Sequence, residues 1–319
     1  MARFTVVIPY YQKQAGILQR ALASVFAQSH QDFDILIVDD ESPFPIETEL
    51  GTLSLEQRAR IRVISQANAG PGGARNTGLD NVATGTDFVA FLDSDDSWTP
   101  DHLDNAKIAM TQFGADCYWA SITGGDAFYY HFDMVRLERT EKAVRLSDKP
   151  LILEVPSFPK VMLRDWGFLH LSCMVIGRRL FETVRFAAAL RLAAEDVLFF
   201  CDCAIAAKRV VLCNEPGAVR GEGVNIFHGI DSDSPQFLSQ QFNTWVALDT
   251  LESRFPQKTE EVVSIHSYKQ TARKQALWSQ ARRIRRREMP QFSLLARWVI
   301  RDPLLIRNAL QLAVGRLTR

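Results

Sequence analysis

Phe91-Leu92-Asp93-Ser94-Asp95-Asp96-Ser97-Trp98 places three carboxylates within four residues at the end of an apolar run, Asp87-Phe88-Val89-Ala90-Phe91-Leu92. A buried strand loses its hydrogen-bonding ladder where it ends, and open α/β sheets bind ligands in the crevice outside the carboxyl ends of their strands. Acids clustered there repel one another unless a cation neutralises them. Hard oxygen ligands suit Mg²⁺ or Mn²⁺, which typically use one or two carboxylates, waters and substrate phosphates. The Asp-x-Asp element therefore reads as a clamp for a metal-bound diphosphate. The alternative is a solvated, Asp-rich turn in which Asp96 or Ser97 caps a helix ahead of Pro100.

Outward from this run, short apolar segments alternate with helical patterns. Phe4 to Ile8 is β-like and is stopped by Pro9, while Ile17, Leu18, Ala21, Leu22, Val25 and Phe26 recur at helical spacing. Phe33 to Val38, Ile61 to Ile64 and Phe88 to Leu92 repeat the strand pattern, with room for crossover helices between them. Alternation of this kind predicts an α/β fold around a mostly parallel sheet with helices on both faces. The second strand ends in Val38-Asp39-Asp40-Glu41-Ser42, where a carboxylate can accept a uracil imide N–H or a ribose hydroxyl. Two acidic strand ends in one parallel sheet share a rim, which weakens the helix-cap explanation of either.

Asn68-Ala69-Gly70-Pro71-Gly72-Gly73-Ala74-Arg75-Asn76-Thr77-Gly78 lies between the two acidic ends. Glycines such as Gly72 permit close backbone approach to a ligand, and the following helix can offer its N-terminus to phosphate. Arg75 can fork a diphosphate or brace the acidic rim. A dinucleotide fingerprint does not fit, because the residue three after Gly72 is Arg75. Further on, Glu195-Asp196 opens an apolar helical pattern, suiting either a helix-dipole cap or a general base for an acceptor hydroxyl. His228 is a candidate to complete a metal shell, and His170 and Trp98 are candidates to shape a pocket.

Composition is that of an ordinary globular chain, 47% hydrophobic and 23% charged over 319 residues, long enough for a large core and an appendage. The zero net charge hides an asymmetry, since Ser264 to Arg319 holds thirteen Lys or Arg against Glu288 and Asp302 alone. Around Arg282-Arg283-Ile284-Arg285-Arg286-Arg287, stretches carrying Leu277, Trp278, Leu294, Leu295 and Trp298 suit an amphipathic helix on an anionic membrane surface. A solvated face packed on the body is the alternative. Nucleic acid is not expected as a partner, because no recognition motif accompanies the charge. Cys117, Cys173, Cys201, Cys203 and Cys213 lack metal or redox spacing and read as buried thiols in a reducing compartment. Neither a signal peptide nor an apolar run of about 18 residues is evident, so a cytoplasmic location, peripheral at the inner membrane face, is expected.

Val6-Val7-Ile8-Pro9-Tyr10-Tyr11, Ser24-Val25-Phe26-Ala27-Gln28, Val38-Asp39-Asp40-Glu41-Ser42, Gly72 to Gly78, Phe91 to Asp96 and Glu195-Asp196 together resemble the family 2 glycosyltransferases, in the family's order from about residue 4 to 205. That resemblance implies the GT-A fold, a nucleotide-diphosphate sugar donor, Mn²⁺ or Mg²⁺, and inversion at the anomeric carbon. By position it implies that Asp40 contacts uracil, Asp93 the ribose or nucleotide, and that Asp96 lines the donor sugar. Asp95 would bind the metal, Asp196 would be the base, and Glu195 would adjoin the acceptor. Pro9, Tyr11, Asp39, Gly72, Arg75 and Ser94 fall on the donor side. The Gln-x-x-Arg-Trp motif and membrane spans of processive polymerases are missing, which favours addition of a single sugar.

Ile8-Pro9-Tyr10-Tyr11-Gln12-Lys13, Tyr118 to Asp126 and the tail are further similar to bacterial succinoglycan-biosynthesis glucosyltransferases across nearly the whole chain. This implies UDP-glucose as donor, an undecaprenyl-diphosphate-linked oligosaccharide as acceptor, and a β-1,3 linkage. The expected organisation is a catalytic domain over 1–235, with a nucleotide-binding half 1–125 and an acceptor half 126–235, followed by a basic helical extension over 236–319. A sugar-nucleotide nucleotidyltransferase is the rival enzyme, but it requires a Gly-rich basic loop where Pro9 to Lys13 stands. A non-catalytic scaffold ranks last, since all the expected carboxylates are present.

Overall fold

A computed structural model describes residues 2–124, 132–164, 169–191, 193–221 and 230–317. Two compact units emerge, one from residues 1–189 and 199–225, the other from 190–198 and 226–319.

In the first unit the strands are β1 (Phe4–Tyr10), β2 (Phe33–Asp39), β3 (Ile61–Ser65), β4 (Phe88–Phe91), β5 (Ser97–Trp98), β6 (Cys117–Thr123), β7 (Val144–Asp148), β8 (Leu151–Glu154), β9 (Met174–Gly177) and β10 (Val210–Val219). They form one sheet in the order β3-β2-β1-β4-β9-β6-β10-β8-β7, with β5 pairing with β10. The parallel character belongs to β3-β2-β1-β4 and to the β6–β10 pair. β9 is antiparallel to both β4 and β6, so the sheet as a whole is mixed. The run Leu171 to Ile176, which reads as one strand, divides into a 3₁₀ turn over Leu171–Cys173 and then β9.

The helices of the first half are α1 (Ile17–Phe26), α2 (Ile46–Leu50), α3 (Leu55–Ala59), α4 (Gly70–Asp80) and α5 (His102–Lys107), the last running into a π-helical turn over Ile108–Gln112. They are followed by α6 (Met134–Thr140), α7 (Phe158–Arg164), α8 (Arg178–Thr183) and α9 (Glu195–Ala206). β1 reads as a continuous apolar run because it is covered on both faces, with Phe4, Val6, Val7, Ile8 and Tyr10 all buried. α1 buries Leu18, Ala21, Leu22 and Val25, the stripe its spacing predicts. Its first N–H groups are satisfied from outside, since Gly16 and Gln19 donate to the carboxylate of Glu49 in α2 at 2.7 and 3.1 Å. α4 lies close on β1, where a Cβ on Gly78 would come within 2.4 Å of Val7. All five cysteines are buried and unbridged, as their spacing suggests.

The second unit carries α10 (Phe237–Glu252), α11 (Glu260–Arg285), α12 (Phe292–Arg301) and α13 (Leu304–Leu317). Leu238, Phe242, Trp245, Ala272, Ala276, Trp298 and Leu305 form its core. Trp298, which the sequence offers to a membrane surface, is fully buried there, so this ring is structural. Arg273 holds Asp302 in a buried two-point contact, with N–O distances of 2.5 and 3.1 Å. Lys269 donates to Asp249 and Glu252 and lies 5.0 Å from the Trp245 ring. No helix among the described residues is long and apolar enough to cross a membrane.

Candidate active site

β1, β2 and β4 run parallel, so their carboxyl ends open on one rim. β1 ends at Tyr10 opposite Asp39, the last residue of β2. Pro9 within β1 and Tyr11 just beyond it are half-buried, and Gln12 donates from its side-chain amide to Ser94 Oγ in the acidic loop at 2.9 Å. The loops after β1 and β4 are thereby tied together.

The two acids at the end of β2 have different surroundings. Asp40 is buried and takes three donors: Gln66 Nε2 at 2.7 Å, Ala69 N–H at 2.8 Å and Gly70 N–H at 2.9 Å. It is thus the anion at the N-terminus of α4, which begins at Gly70 and not after the glycines. Asp39 is half-buried, and its one donor among the described residues is the Ser42 N–H, which reaches Oδ1 at 2.9 Å. Gly72 lies buried inside the first turn of α4. The phosphate-binding helix end that the glycine-rich stretch suggests is therefore already partly filled by a protein carboxylate.

Arg75 projects from α4 and brings Nη2 to 2.6 Å from Asp93 Oδ1, with its guanidinium carbon 5.5 Å from the centre of the Phe186 ring. Of the two contacts open to Arg75 in the sequence, this is the brace on the acidic rim. The neighbouring Asn76 exchanges two hydrogen bonds with the Phe186 backbone, at 2.9 and 2.7 Å, which holds that ring beside Arg75.

The acidic loop is a turn closed by the Asp96 N–H bond to the Asp93 carbonyl at 3.0 Å. Ser172 fastens it from within. The Asp93 N–H donates to Ser172 Oγ at 3.1 Å, the Ser172 hydroxyl donates to Asp96 Oδ2 at 2.6 Å, and Trp98 Nε1 donates to the Ser172 carbonyl at 2.7 Å. Gly221 fastens it from the other side, its N–H donating to Asp96 Oδ1 at 3.0 Å. A Cβ on Gly221 would lie 1.5 Å from the Asp95 carbonyl oxygen, so only glycine fits. Arg20 donates to that same carbonyl at 3.1 Å.

Asp93, Asp96 and His170 each bring a ligand atom within 4.8 Å of the others, and His170 Nδ1 lies 3.5 Å from Asp96 Oδ2. Burial works against ionisation of Asp93, but Arg75 and His170 outweigh it and hold the group below the usual carboxylate range. Asp96 goes the other way, raised mainly by burial despite His170 and its hydrogen bonds. Asp95, half-buried and outside that trio, is pushed up to about 7 by burial and by the charges of Asp93 and Asp96. Three acids with one guanidinium in direct ion-pair contact among the described residues make a site whose ionised form a divalent cation would relieve, and two carboxylates with an imidazole are a donor set that fits one.

The metal ligands expected from sequence were Asp95 and His228. His228 lies outside the described residues, whereas His170 enters the described cluster. The sequence offers His170 only as a pocket residue, and gives no sign of Ser172 or Gly221 as its partners. Ser172 is 76 positions from Asp96 and Gly221 is 125, so only the pairing of β9 and β10 into the sheet brings them together. Glu195 and Asp196 form the first turn of α9 as expected, with Glu195 buried, Asp196 half-buried, and Asp196 Oδ1 accepting the Val197 N–H at 2.8 Å.

Comparison with known proteins agrees with the fold. The chain is 69% identical over 319 residues, the full length of both proteins, to the "Succinoglycan biosynthesis protein ExoW" of Rhizobium meliloti (strain 1021). Among solved structures it is similar to S. aureus TarS 1-349 in complex with UDP-GlcNAc, with a TM-score of 0.62 at 17% identity over 87% of this chain and 79% of that one. It is also similar to the mannosyltransferase PcManGT from Pyrobaculum calidifontis in complex with GDP-Man and Mn²⁺, with a TM-score of 0.54 at 15% identity over 98% and 84% of the two chains. These neighbours share the GT-A fold. The model of "Glycosyl transferase family 2" matches residues 5–183, which span β1 to α8 and hold the whole acidic rim, and the chain belongs to that family.

Proposed function

We propose that this protein transfers glucose from UDP-glucose, with inversion, to an undecaprenyl-diphosphate-linked oligosaccharide during succinoglycan assembly, forming a β-1,3 linkage. The observation that carries the reading is full-length 69% identity to a succinoglycan biosynthesis protein in a chain that keeps the acidic rim intact. In this scheme Asp39 takes the uracil imide, since Asp40 is occupied by α4 while one Asp39 oxygen has no protein donor among the described residues. Pro9, Tyr11 and Gly72 line the nucleotide side. Arg75 and Ser94 keep Asp93 and the first loop in place for the ribose. Asp93, Asp96 and His170, with Asp95 adjoining, are the residues that would hold Mn²⁺ or Mg²⁺, whose chemistry is to offset the charge developing on the departing diphosphate.

Inversion requires attack on the anomeric carbon from the face opposite UDP. Asp196 removes the acceptor hydroxyl proton as the new carbon–oxygen bond forms and the bond to UDP breaks. Its partial exposure favours it over the buried Glu195 for meeting an acceptor. The test is UDP release from a panel of UDP-sugars, with GDP release from GDP-mannose, with and without chelator, in the presence of the lipid-linked acceptor. Chelator-sensitive release from UDP-glucose alone is expected, and release from a different donor overturns the sugar assignment. Asp196→Asn should lower turnover by about a thousandfold or more while donor affinity stays within a fewfold, a base-type loss. Loss of donor affinity together with turnover would remove Asp196 from the role of base.

A further inference from the structure

The basic tail is not accounted for by sugar transfer, and the carboxylates in it and beside it are already engaged. Asp233 takes Arg282 and Arg286, Glu288 takes Arg283, and the buried Asp302 takes Arg273. Arg285, Arg287, Arg297, Arg301 and Arg307 are left with no carboxylate partner among the described residues, and all five are exposed.

α12 shows how that charge is arranged. Its inward side carries Trp298, fully buried in the helical core, with Leu294 and Leu295 packed beside it. On the outward side, Phe292, Ala296 and Ile300 follow one another at a spacing of four, which aligns them in one stripe. Phe292 and Ile300 are 60% and 82% exposed, and it is their alignment in one stripe, not the exposure of either alone, that marks an interaction surface. Ser293, Arg297 and Arg301, also four apart and exposed, form the adjacent stripe. Leu304, Ile306 and Leu310 of α13 are likewise exposed around Arg307. α12 is thus apolar on two sides, one of them satisfied by its own core and the other rimmed by arginine.

We propose that the outward face of α12, continued by the exposed apolar residues of α13, is a docking surface for an anionic lipid bilayer. Apolar side chains flanked by arginine and free of acid match the acyl–headgroup boundary, where Phe and Ile enter the apolar layer and guanidinium groups meet lipid phosphates. A second copy of the chain would meet the same unneutralised arginines and be repelled by them. The surface rests on exposure and charge alone, and stands whether or not the sugar assignment is right.

Flotation of the full-length protein with vesicles of phosphatidylcholine, with and without phosphatidylglycerol, tests this. Binding to the anionic vesicles should exceed binding to neutral ones by at least about tenfold and should fall as salt is raised. Phe292→Ser with Ile300→Ser should lower partitioning by about tenfold, and Arg297→Gln with Arg307→Gln by about twenty-fivefold, since each arginine at such a surface contributes roughly a factor of five. These are surface positions, so circular dichroism and hydrolysis of UDP-glucose should be unchanged; a defect in hydrolysis confined to Asp196→Asn then concerns the catalytic reading and not this one. Equal binding to neutral and anionic vesicles, no binding to either, or partitioning unaltered by both variants overturns the proposal. So does a concentration-dependent dimer that Phe292→Ser abolishes, or nucleic-acid binding that competes the protein off vesicles.

Discussion

Asp39 and Asp40 are adjacent, chemically identical and equally acidic in sequence, yet they face different tasks. The buried Asp40 faces two backbone N–H groups and an amide, whereas Asp39 keeps an oxygen without a protein donor among the described residues. Asp40→Asn places an amide NH₂ against donors it cannot accept from, and should destabilise the protein by about 1–3 kcal/mol in urea unfolding. Asp39→Asn should leave the unfolding midpoint nearly unchanged and weaken UDP binding about tenfold, measured by calorimetry, since a charge-assisted hydrogen bond is replaced by a neutral one. The reverse pattern would return the base contact to Asp40. At this scale the sequence identifies which residue types gather at the rim, but it does not say which of two neighbours turns inward. That depends on where α4 begins, and the start at Gly70 is not evident from a stretch whose glycines read as a loop.

Among the elements, α5 and the helical pair joined through Arg273 both store charge preferences that can be measured. His102 opens α5, fully buried between Trp98 and Tyr118 at ring distances of 4.9 and 5.9 Å, with neither ring nitrogen hydrogen-bonded among the described residues. Burial pushes its pKa down to about 3 from 6.5. Between these values the unfolded chain binds the proton and the folded one does not, so this contribution to stability is complete above 6.5 and declines as pH falls towards 3. The slope should approach about 1.4 kcal/mol per pH unit. His102→Phe should flatten the profile of unfolding free energy between pH 6.5 and 5, whatever its absolute stability; an unchanged slope would mean that the ring is not buried neutral. Arg273 and Asp302 behave differently. Arg273→Leu strands a buried carboxylate and should cost about 3–5 kcal/mol, while Arg273→Leu with Asp302→Leu should recover most of that loss. The strands β1 to β4 and the helix α1 were legible from apolar runs and helical spacing because each packs an apolar face against the core. β9 was blurred with the preceding turn, since a four-residue buried strand has no periodicity to distinguish it.

For the molecule as a whole, the family resemblance pointed to the GT-A fold, and the helical pattern beyond residue 235 to the helices found at the C-terminal end. The indole at 298, read as a surface anchor, belongs instead to the core of its own unit. Periodicity alone could not separate the two sides of a helix that is apolar on both.

The antiparallel strand β9 has a consequence for how this chain acquires its shape. β4 pairs with β1 on one side, but its other edge pairs with β9, so that Phe88 meets Gly177. During synthesis the parallel strands emerge first with an open, apolar flank that stays unmatched until much later in translation. Formation of the sheet is then limited by a distant segment, the situation in which unpaired edges invite association with other chains. A fragment ending at residue 125 should carry β1 to β6 and still aggregate or bind a hydrophobic dye, whereas a chain that includes β9 and β10 should not. A soluble, cooperatively unfolding 1–125 fragment would show that the edge of β4 needs no partner.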